Sequence, residues 1–343
     1  MESSQKQRFP LEARLMDTIK EEKASVGCEI LVHRCAKIKA NDRALILYDE
    51  QTQDIAELMR DVTINKCPET RMMPVHGIRI HGQEPPKEII RAMLWSTVTF
   101  CMTSYSLAQT EARRKAAIEG VKFLSLPQYD KSILENPALD VDYESHTKIA
   151  DLIADCFSNG SEAELVSTSG TMLKMKIDGR EGNSCPGWCR EPGSLASPPD
   201  IETNIAPNEL HTNGTAVING SIAIPEIGLL KEPITLQISN GKIVDFGKPD
   251  SLNLKSLFSK FGDDARIVGE LGVGLNPKAK LTGNMLIDEG ALGTVHLGFG
   301  SNSSIGGVNH AKSHIDMILT DVDLFVDKKP LLQGGRIVLG ESK

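Results

Sequence analysis

Four short segments in the last third of the chain place ionisable side chains among residues too apolar to solvate them. Ser313–Leu319 reads SHIDMIL. In an extended strand, residues i and i+2 point to the same side, so His314 and Asp316 share one face while Ile315 and Met317 pack behind. A histidine and a carboxylate on one face make a pair of ligands for a divalent metal. A strand with a polar face turned to water would show the same spacing. The neighbouring segments favour the metal. His296 lies in TVHLGFG and Glu270 in IVGELGVG, both apolar and bounded by glycine. A carboxylate inside such a run is costly unless it is paired, protonated or bound to a cation. Asp288 and Glu289, in IDEG, come just ahead of His296. A bound cation would offset the cost of gathering these groups.

The elements that must position these groups change character along the chain. The first half alternates strands and helices. Ala44–Tyr48 (ALILY) reads as a buried strand, followed by a helix through Asp54–Val62. Thr97–Met102 is a second strand. Glu111–Glu119 is a helix ended by Gly120, with Val121–Leu126 following at once as a strand. Strand, helix, strand at this spacing implies parallel strands with crossover helices. His146–Ser158 reads as one more amphipathic helix. Residues 181–200, rich in Gly, Pro and Ser, read as a linker or surface loop. Short β runs follow, at Thr215–Ile224, Ile234–Ser239 and Lys242–Phe246, with Asn240-Gly241 as a type I′ hairpin signal. Glycine is dense from Gly269 to Gly307, where the backbone must turn sharply or approach a ligand. The expected fold class is α/β: an N-terminal parallel-sheet domain over residues 1–180, the linker at 181–200, and a C-terminal mixed α+β metal-binding domain over 201–343.

Composition narrows the partners. Hydrophobic residues at 40% and charged residues at 24% exclude a disordered chain. No apolar run reaches the roughly 18 residues that span a bilayer, and the polar N-terminus lacks a signal-peptide core. A cytoplasmic protein is expected, with no membrane partner. The net charge of -8, without a basic cluster, argues against nucleic acid. Seven cysteines, an odd number, argue against a disulfide framework. Cys185 and Cys189 could hold half a zinc site, but no second pair completes it.

The ordered set of motifs resembles the metallopeptidase family of aminopeptidase T and aminopeptidase S. The matching residues are Gly269-Glu270, Asp288-Glu289-Gly290, His296 with Gly300 and His314-Ile-Asp316. An earlier stretch, Asn204-Ile-Ala-Pro-Asn-Glu209, also matches. In the first half, Ser104–Thr110, the helix with Ala112 and Ala116, and Gly120–Pro127 agree as well. The resemblance implies Glu209, Glu270, His296, His314 and Asp316 as ligands of a two-metal site holding Zn, Co, Mn or Fe, and a homodimer. Two features depart from the peptidases. The loop between His296 and His314 is short, and Ser303 stands where the family has a tyrosine. In these respects the chain resembles a sister group, the 2,5-dihydroxypyridine 5,6-dioxygenases, which use one iron to open a ring. That group implies a histidine in the Ser-Leu-x-x-Thr segment, where this chain has Gln109.

Two chemistries follow. The first expectation is a metallohydrolase of an amide or peptide bond, acting on a small molecule or short peptide. Metal-activated water attacks the carbonyl, and Glu289 or Glu209 takes the proton. The alternative is a ring-opening dioxygenase in which His296, His314 and Asp316 hold one Fe(II), leaving positions open for oxygen and substrate. In either case Gln109, in the loop after the Thr97–Met102 strand, is expected at the ligand crevice bordering the carboxyl ends of the strands.

Overall fold

Apolar runs with no polar alternation need cover on both faces, and a parallel sheet flanked by helices gives it. In the first half they form such a sheet, ordered Thr70–Pro74, Ala44–Tyr48, Val98–Met102, Lys122–Ser125, Leu195–Ala196, every neighbouring pair parallel. The helices Gln53–Lys66, Lys87–Trp95 and Glu111–Ile118 alternate with these strands. Leu45, Leu47, Ile89, Met93, Ala112 and Phe123 meet in one buried cluster. The last helix starts where expected because its end is doubly capped. Thr110 Oγ1 accepts from Arg113 N at 3.1 Å, and the Glu84 carboxylate accepts from Glu111 N and Ala112 N at 2.5 and 3.2 Å. The computed structural model describes residues 22–224, 226–247 and 252–339.

The chain divides into two units. The first takes residues up to Asp140 and also Cys189–Ala196; the second takes Val141–Trp188 and everything from Ser197 on. This differs from the expected boundary at 180, and strand pairing explains why. Glu162–Ser167 and Met172–Lys176 pair with Val322–Val326 and Thr212–Ile218, in the C-terminal part. The segment expected to be a linker carries one strand of each unit, Gly182–Cys185 in the second and Leu195–Ala196 in the first.

Among its described residues the second unit holds two sheets. One has eight strands and includes the hairpin of Ile234–Ser239 and Lys242–Asp245. Asn240 and Gly241 sit at φ 48° and 75°, the left-handed pair a type I′ turn requires. The run expected at Thr215–Ile224 is two strands. Thr212–Ile218 belongs to the eight-stranded sheet, and the chain then turns at Asn219-Gly220 to place Ser221–Ile222 in the other. That other sheet has seven strands, antiparallel throughout, in the order Gly228–Leu229, Ser221–Ile222, His314–Leu319, Val295–Gly300, Val268–Gly274, Glu202–Ile205, Gly182–Cys185. The helix Tyr143–Asn159 lies against it, with Thr203 Oγ1 donating to Ala150 O at 2.9 Å. Among the described residues no helix is long and apolar enough to cross a membrane. All seven cysteines are free thiols.

Candidate metal centre

Strand register places the ionisable groups of the seven-stranded sheet on one face. Gly272 pairs with Asn204 on one side and His296 on the other, and Gly274 pairs with Glu202. Glu270 pairs with Gly298, which pairs in turn with Asp316, while Gly300 pairs with His314. Period-two alternation then puts Glu202, Glu270, His296, His314 and Asp316 on the same side of four neighbouring strands. Each imidazole leans over a glycine of the adjoining strand. A Cβ added to Gly272 would lie 1.9 Å from His296 Nε2, and one added to Gly298 would lie 2.6 Å from His314 Nε2. The glycine-dense stretch, expected to serve turns or ligand approach, here makes room for the site's own side chains.

The geometry joins two adjoining groups through Glu270. His296 Nε2 lies 3.0 Å from Glu202 Oε2 and 3.5 Å from Glu270 Oε1. His314 Nε2 lies 3.1 Å from Glu270 Oε2 and 3.0 Å from Asp316 Oδ1. Donor atoms of Glu202, Glu270 and His296 fall within 4.8 Å of one another, as do those of Glu270, His314 and Asp316, and those of Asp200, Glu202 and Glu289. Asn204 Nδ2 donates to Glu202 Oε1 at 2.7 Å and fixes that carboxylate's orientation.

His314 shows that a cation suits the site. Its Nδ1 faces the Ser301 carbonyl at 2.7 Å, so Nδ1 carries the proton. In the neutral ring, Nε2 then points a lone pair at two carboxylates, which repels unless a proton or a metal ion lies between them. A hydrogen bond from the distal nitrogen to a carbonyl is the arrangement that orients a metal-bound histidine. Two more signs agree. His296 Nδ1, Asp200 Oδ1 and Glu289 Oε1 are buried with no hydrogen-bond partner. The donors are all nitrogen and oxygen, which suits Fe, Mn or Zn. Burial pushes the thiols of Cys28 and Cys189 up to about 12, so neither offers a thiolate at neutral pH.

Protons do the balancing in the metal-free chain. Burial would lower the pKa of His296 and of His314. The carboxylates of Glu202 and Glu270 at His296, and of Asp316 and Glu270 at His314, outweigh it and hold both imidazoles well above the usual range. Burial would raise Glu270 and Asp316, but the two histidines reverse that and lower both. Asp200 and Glu289 go the other way. Burial, and then neighbouring carboxylates (Glu202 for Asp200, Asp316 for Glu289), hold both well above the usual carboxylate range.

This sets a pH dependence. Four groups (His296, His314, Asp200 and Glu289) bind protons more tightly folded than unfolded. Their contribution is full below the unfolded values, about 4 for the acids and 6.5 for the imidazoles, and is lost as pH rises through the folded values. Glu270 and Asp316 contribute with the opposite sign, and theirs is lost as pH falls through their lowered values. The metal-free chain is therefore expected to lose thermal stability as pH rises above about 4, and more steeply above about 6.5, where the imidazoles join the carboxyls. A metal ion takes the place of the protons, so the metal-loaded chain should show a flatter profile and release protons on loading. Melting curves with and without metal check this. Parallel profiles would mean that no cation enters the cluster.

Of the residues singled out in the sequence, Glu270, His296, His314 and Asp316 come together. The triad of His296, His314 and Asp316 does not form one group, because Glu270 stands between the two imidazoles and touches both. Glu209 is in none of the groups. Its carboxylate meets Arg180 Nη2 at 2.5 Å, Asn302 Nδ2 at 3.0 Å and Val308 N at 2.8 Å. The glutamate brought to His296 is Glu202, seven residues earlier. Glu289, expected as a base, has its pKa held well above the usual carboxylate range by burial and by Asp316 in the metal-free chain. Asp288 is fully used by Ser221 Oγ, Thr282 N and Gly283 N and anchors the turn before the short helix Met285–Asp288. Gln109 belongs to the first unit, exposed in the turn before Thr110. Asp200 and Glu202 went unread in the sequence. The signal was there in PPDIETN, where Asp200, Glu202 and Asn204 alternate through an apolar frame.

The family model for 2,5-dihydroxypyridine 5,6-dioxygenase, NicX, matches residues 62–339, well over half the chain. The chain belongs to the NicX family. A 2,5-dihydroxypyridine 5,6-dioxygenase of Pseudomonas putida is 28% identical to this NicX-family chain over 168 residues, which are 46% of this chain and 48% of that relative. The alignment thus spans about half of the relative's length. Two solved structures share the fold. The 2,5-dihydroxypyridine dioxygenase from Pseudomonas putida superposes with a TM-score of 0.78 at 16% identity, covering 95% of this chain and 98% of that one. Wild-type AmpT from Thermus thermophilus superposes with a TM-score of 0.65 at 14% identity, covering 93% and 100%. The metallohydrolase expected first is corrected by these matches. Both the family model and the sequence relative are dioxygenases, and at 14% identity the likeness to AmpT shows the fold alone.

Proposed function

We propose that this chain is an Fe(II)-dependent dioxygenase that opens the ring of a dihydroxylated pyridine or a closely related nitrogen heterocycle. The observation that supports it is the family match over residues 62–339, which contains Glu202, Glu270, His296, His314 and Asp316. Glu270, His296, His314 and Asp316 would hold the ion, with Glu202 beside His296. Iron(II), when bound, supplies the one-electron chemistry that lets triplet oxygen react with an electron-rich ring. Both oxygen atoms enter the product as the bond between ring carbons 5 and 6 breaks, so no external reductant is needed.

The chain's own groups manage protons and orientation. Gln109 stands where the resemblance implies a histidine, and an amide cannot take a proton near neutral pH. The buried carboxyls of Asp200 and Glu289 are the groups of this chain that can hold or release one beside the ligands. Asn204 keeps Glu202 in place, and Ser301 O keeps His314 Nε2 facing Glu270 and Asp316.

The test is chain purified and loaded with Fe(II) under anaerobic conditions, then given 2,5-dihydroxypyridine and labelled oxygen. One oxygen molecule should disappear per ring lost, with both labels in the acyclic product and about one iron per chain at the site. Iron-loaded chain that leaves dihydroxypyridines and oxygen untouched would remove this reading.

A further inference from the structure

The loop from Ser301 to Ser313 joins the strand that carries His296 to the strand that carries His314. It reaches the metal centre by two routes. Its first residue gives the carbonyl that holds His314 Nδ1 at 2.7 Å. In its middle, Ile305 O accepts from Asn183 Nδ2 at 3.3 Å. That same amide donates to Asn204 Oδ1 at 3.0 Å, and Asn204 Nδ2 donates to Glu202 Oε1 at 2.7 Å. A short chain of amides thus runs from the loop to one ligand group, and a single carbonyl reaches the other.

One ion pair fastens this loop. Arg180 donates to Gly306 O at 2.7 Å, to Asn208 Oδ1 at 3.2 Å and to Glu209 Oε2 at 2.5 Å. Glu209 accepts from Asn302 Nδ2 and Val308 N with its other oxygen. Asn302 in turn accepts from Asn309 N at 2.8 Å, and Asn309 Nδ2 donates to Gly300 O and Asp264 O at 2.7 and 2.9 Å. Both charged side chains are 12% exposed. Burial would raise the Glu209 pKa, but the Val308 amide, Asn302 and Arg180 outweigh it and keep it low, so the residue is an anion. Gly307 sits directly under Asn302, where an added Cβ would lie 2.0 Å from Cγ.

We infer that Glu209, paired with Arg180, is a positioning residue. It buckles the 301–313 loop and thereby sets His314 and Glu202 for the metal, without touching the metal itself. The inference rests on the metal centre of the proposed function but not on its substrate. It also assigns Glu209 a role other than the ligand role implied by the resemblance to the peptidases.

Binding of Co²⁺, whose visible spectrum reports its ligands, tests this with no turnover involved. Glu209→Ala should bind the same number of Co²⁺ per chain at saturation as the wild type. Its affinity should be lower by about 10- to 100-fold, the usual cost of an outer-shell change, with a shifted visible band. Amide exchange in 301–310 should quicken. Glu209→Gln keeps an acceptor for Asn302 and Val308 but loses the charge facing Arg180, and should recover part of the affinity. Gly307→Ala displaces Asn302 without altering position 209 and should reproduce the loss if Glu209→Ala does not fold. A stoichiometry lower by one ion would make Glu209 a ligand, and unchanged affinity with only a lower melting temperature would make the pair merely structural; either result overturns the inference. Wild-type chain that binds no Co²⁺ would remove the metal centre as well, which separates that failure from the other two.

Discussion

Glu270→Gln is expected to cut metal affinity by more than about 100-fold, beyond the usual cost of an outer-shell change, and to reduce ring opening by at least about 1000-fold, or about 4 kcal/mol of barrier. The reason is position. Glu270 Oε1 faces His296 Nε2 and Oε2 faces His314 Nε2, so this one carboxylate belongs to both donor groups. The amide has nearly the same shape and can still accept a hydrogen bond from one imidazole. It brings no charge, and its NH₂ turns a donor towards one of the two rings. Removing one negative charge also lessens the pull that raises the pKa of His296 and His314 in the metal-free chain. The variant should therefore fold, and its loss should read as a loss of metal. Circular dichroism establishes the fold, elemental analysis the metal and oxygen uptake the activity. Full metal content with normal turnover would show that the centre lies elsewhere. Asp316→Asn, which alters one of the two donor groups that share Glu270, should cost less than Glu270→Gln.

Much of this was legible locally. ALILY and the Thr97–Met102 run carry no charged residue, and central strands of a parallel sheet have no wet face. Asn240-Gly241 specified its turn because a type I′ hairpin needs positive φ at both central residues, which Asn-Gly adopts readily. His314 and Asp316 were readable as a pair because the strand period places i and i+2 together. What was hidden depends on strand order, which no local pattern encodes. Glu202 meets His296 only because Glu202–Ile205 and Val295–Gly300 flank the same strand, Val268–Gly274. The motif ending at Glu209 pointed past Glu202, the glutamate that lies beside His296. Four residues beyond the Glu202–Ile205 strand the chain turns, and Glu209 meets Arg180. The unit boundary was hidden for the same reason: Glu162–Ser167 finds its partner at Val322–Val326, far along the chain.

Gly272→Ala should be nearly as damaging as Glu270→Gln, although it alters no ionisable group. Gly272 has no left-handed backbone to preserve, so alanine meets no dihedral strain, and space alone decides. The added methyl would stand 1.9 Å from His296 Nε2 and 2.1 Å from Cε1, inside the ring's own volume. The ring is 1% exposed and flanked by neighbouring strands, so it has no open side to move into. Overpacking of this kind costs about 1–3 kcal/mol, and here the displaced group is a proposed ligand, so metal should be lost along with stability. Comparison with His296→Ala separates the two losses. The double variant Gly272→Ala/His296→Ala removes the clashing ring, so its melting temperature should exceed that of Gly272→Ala alone. Metal binding should stay absent, because the imidazole is gone. A coupling energy of more than about 1 kcal/mol between the two sites is expected for side chains in direct contact. Additive effects, or a Gly272→Ala chain that keeps its metal, would mean that His296 does not lie over the glycine.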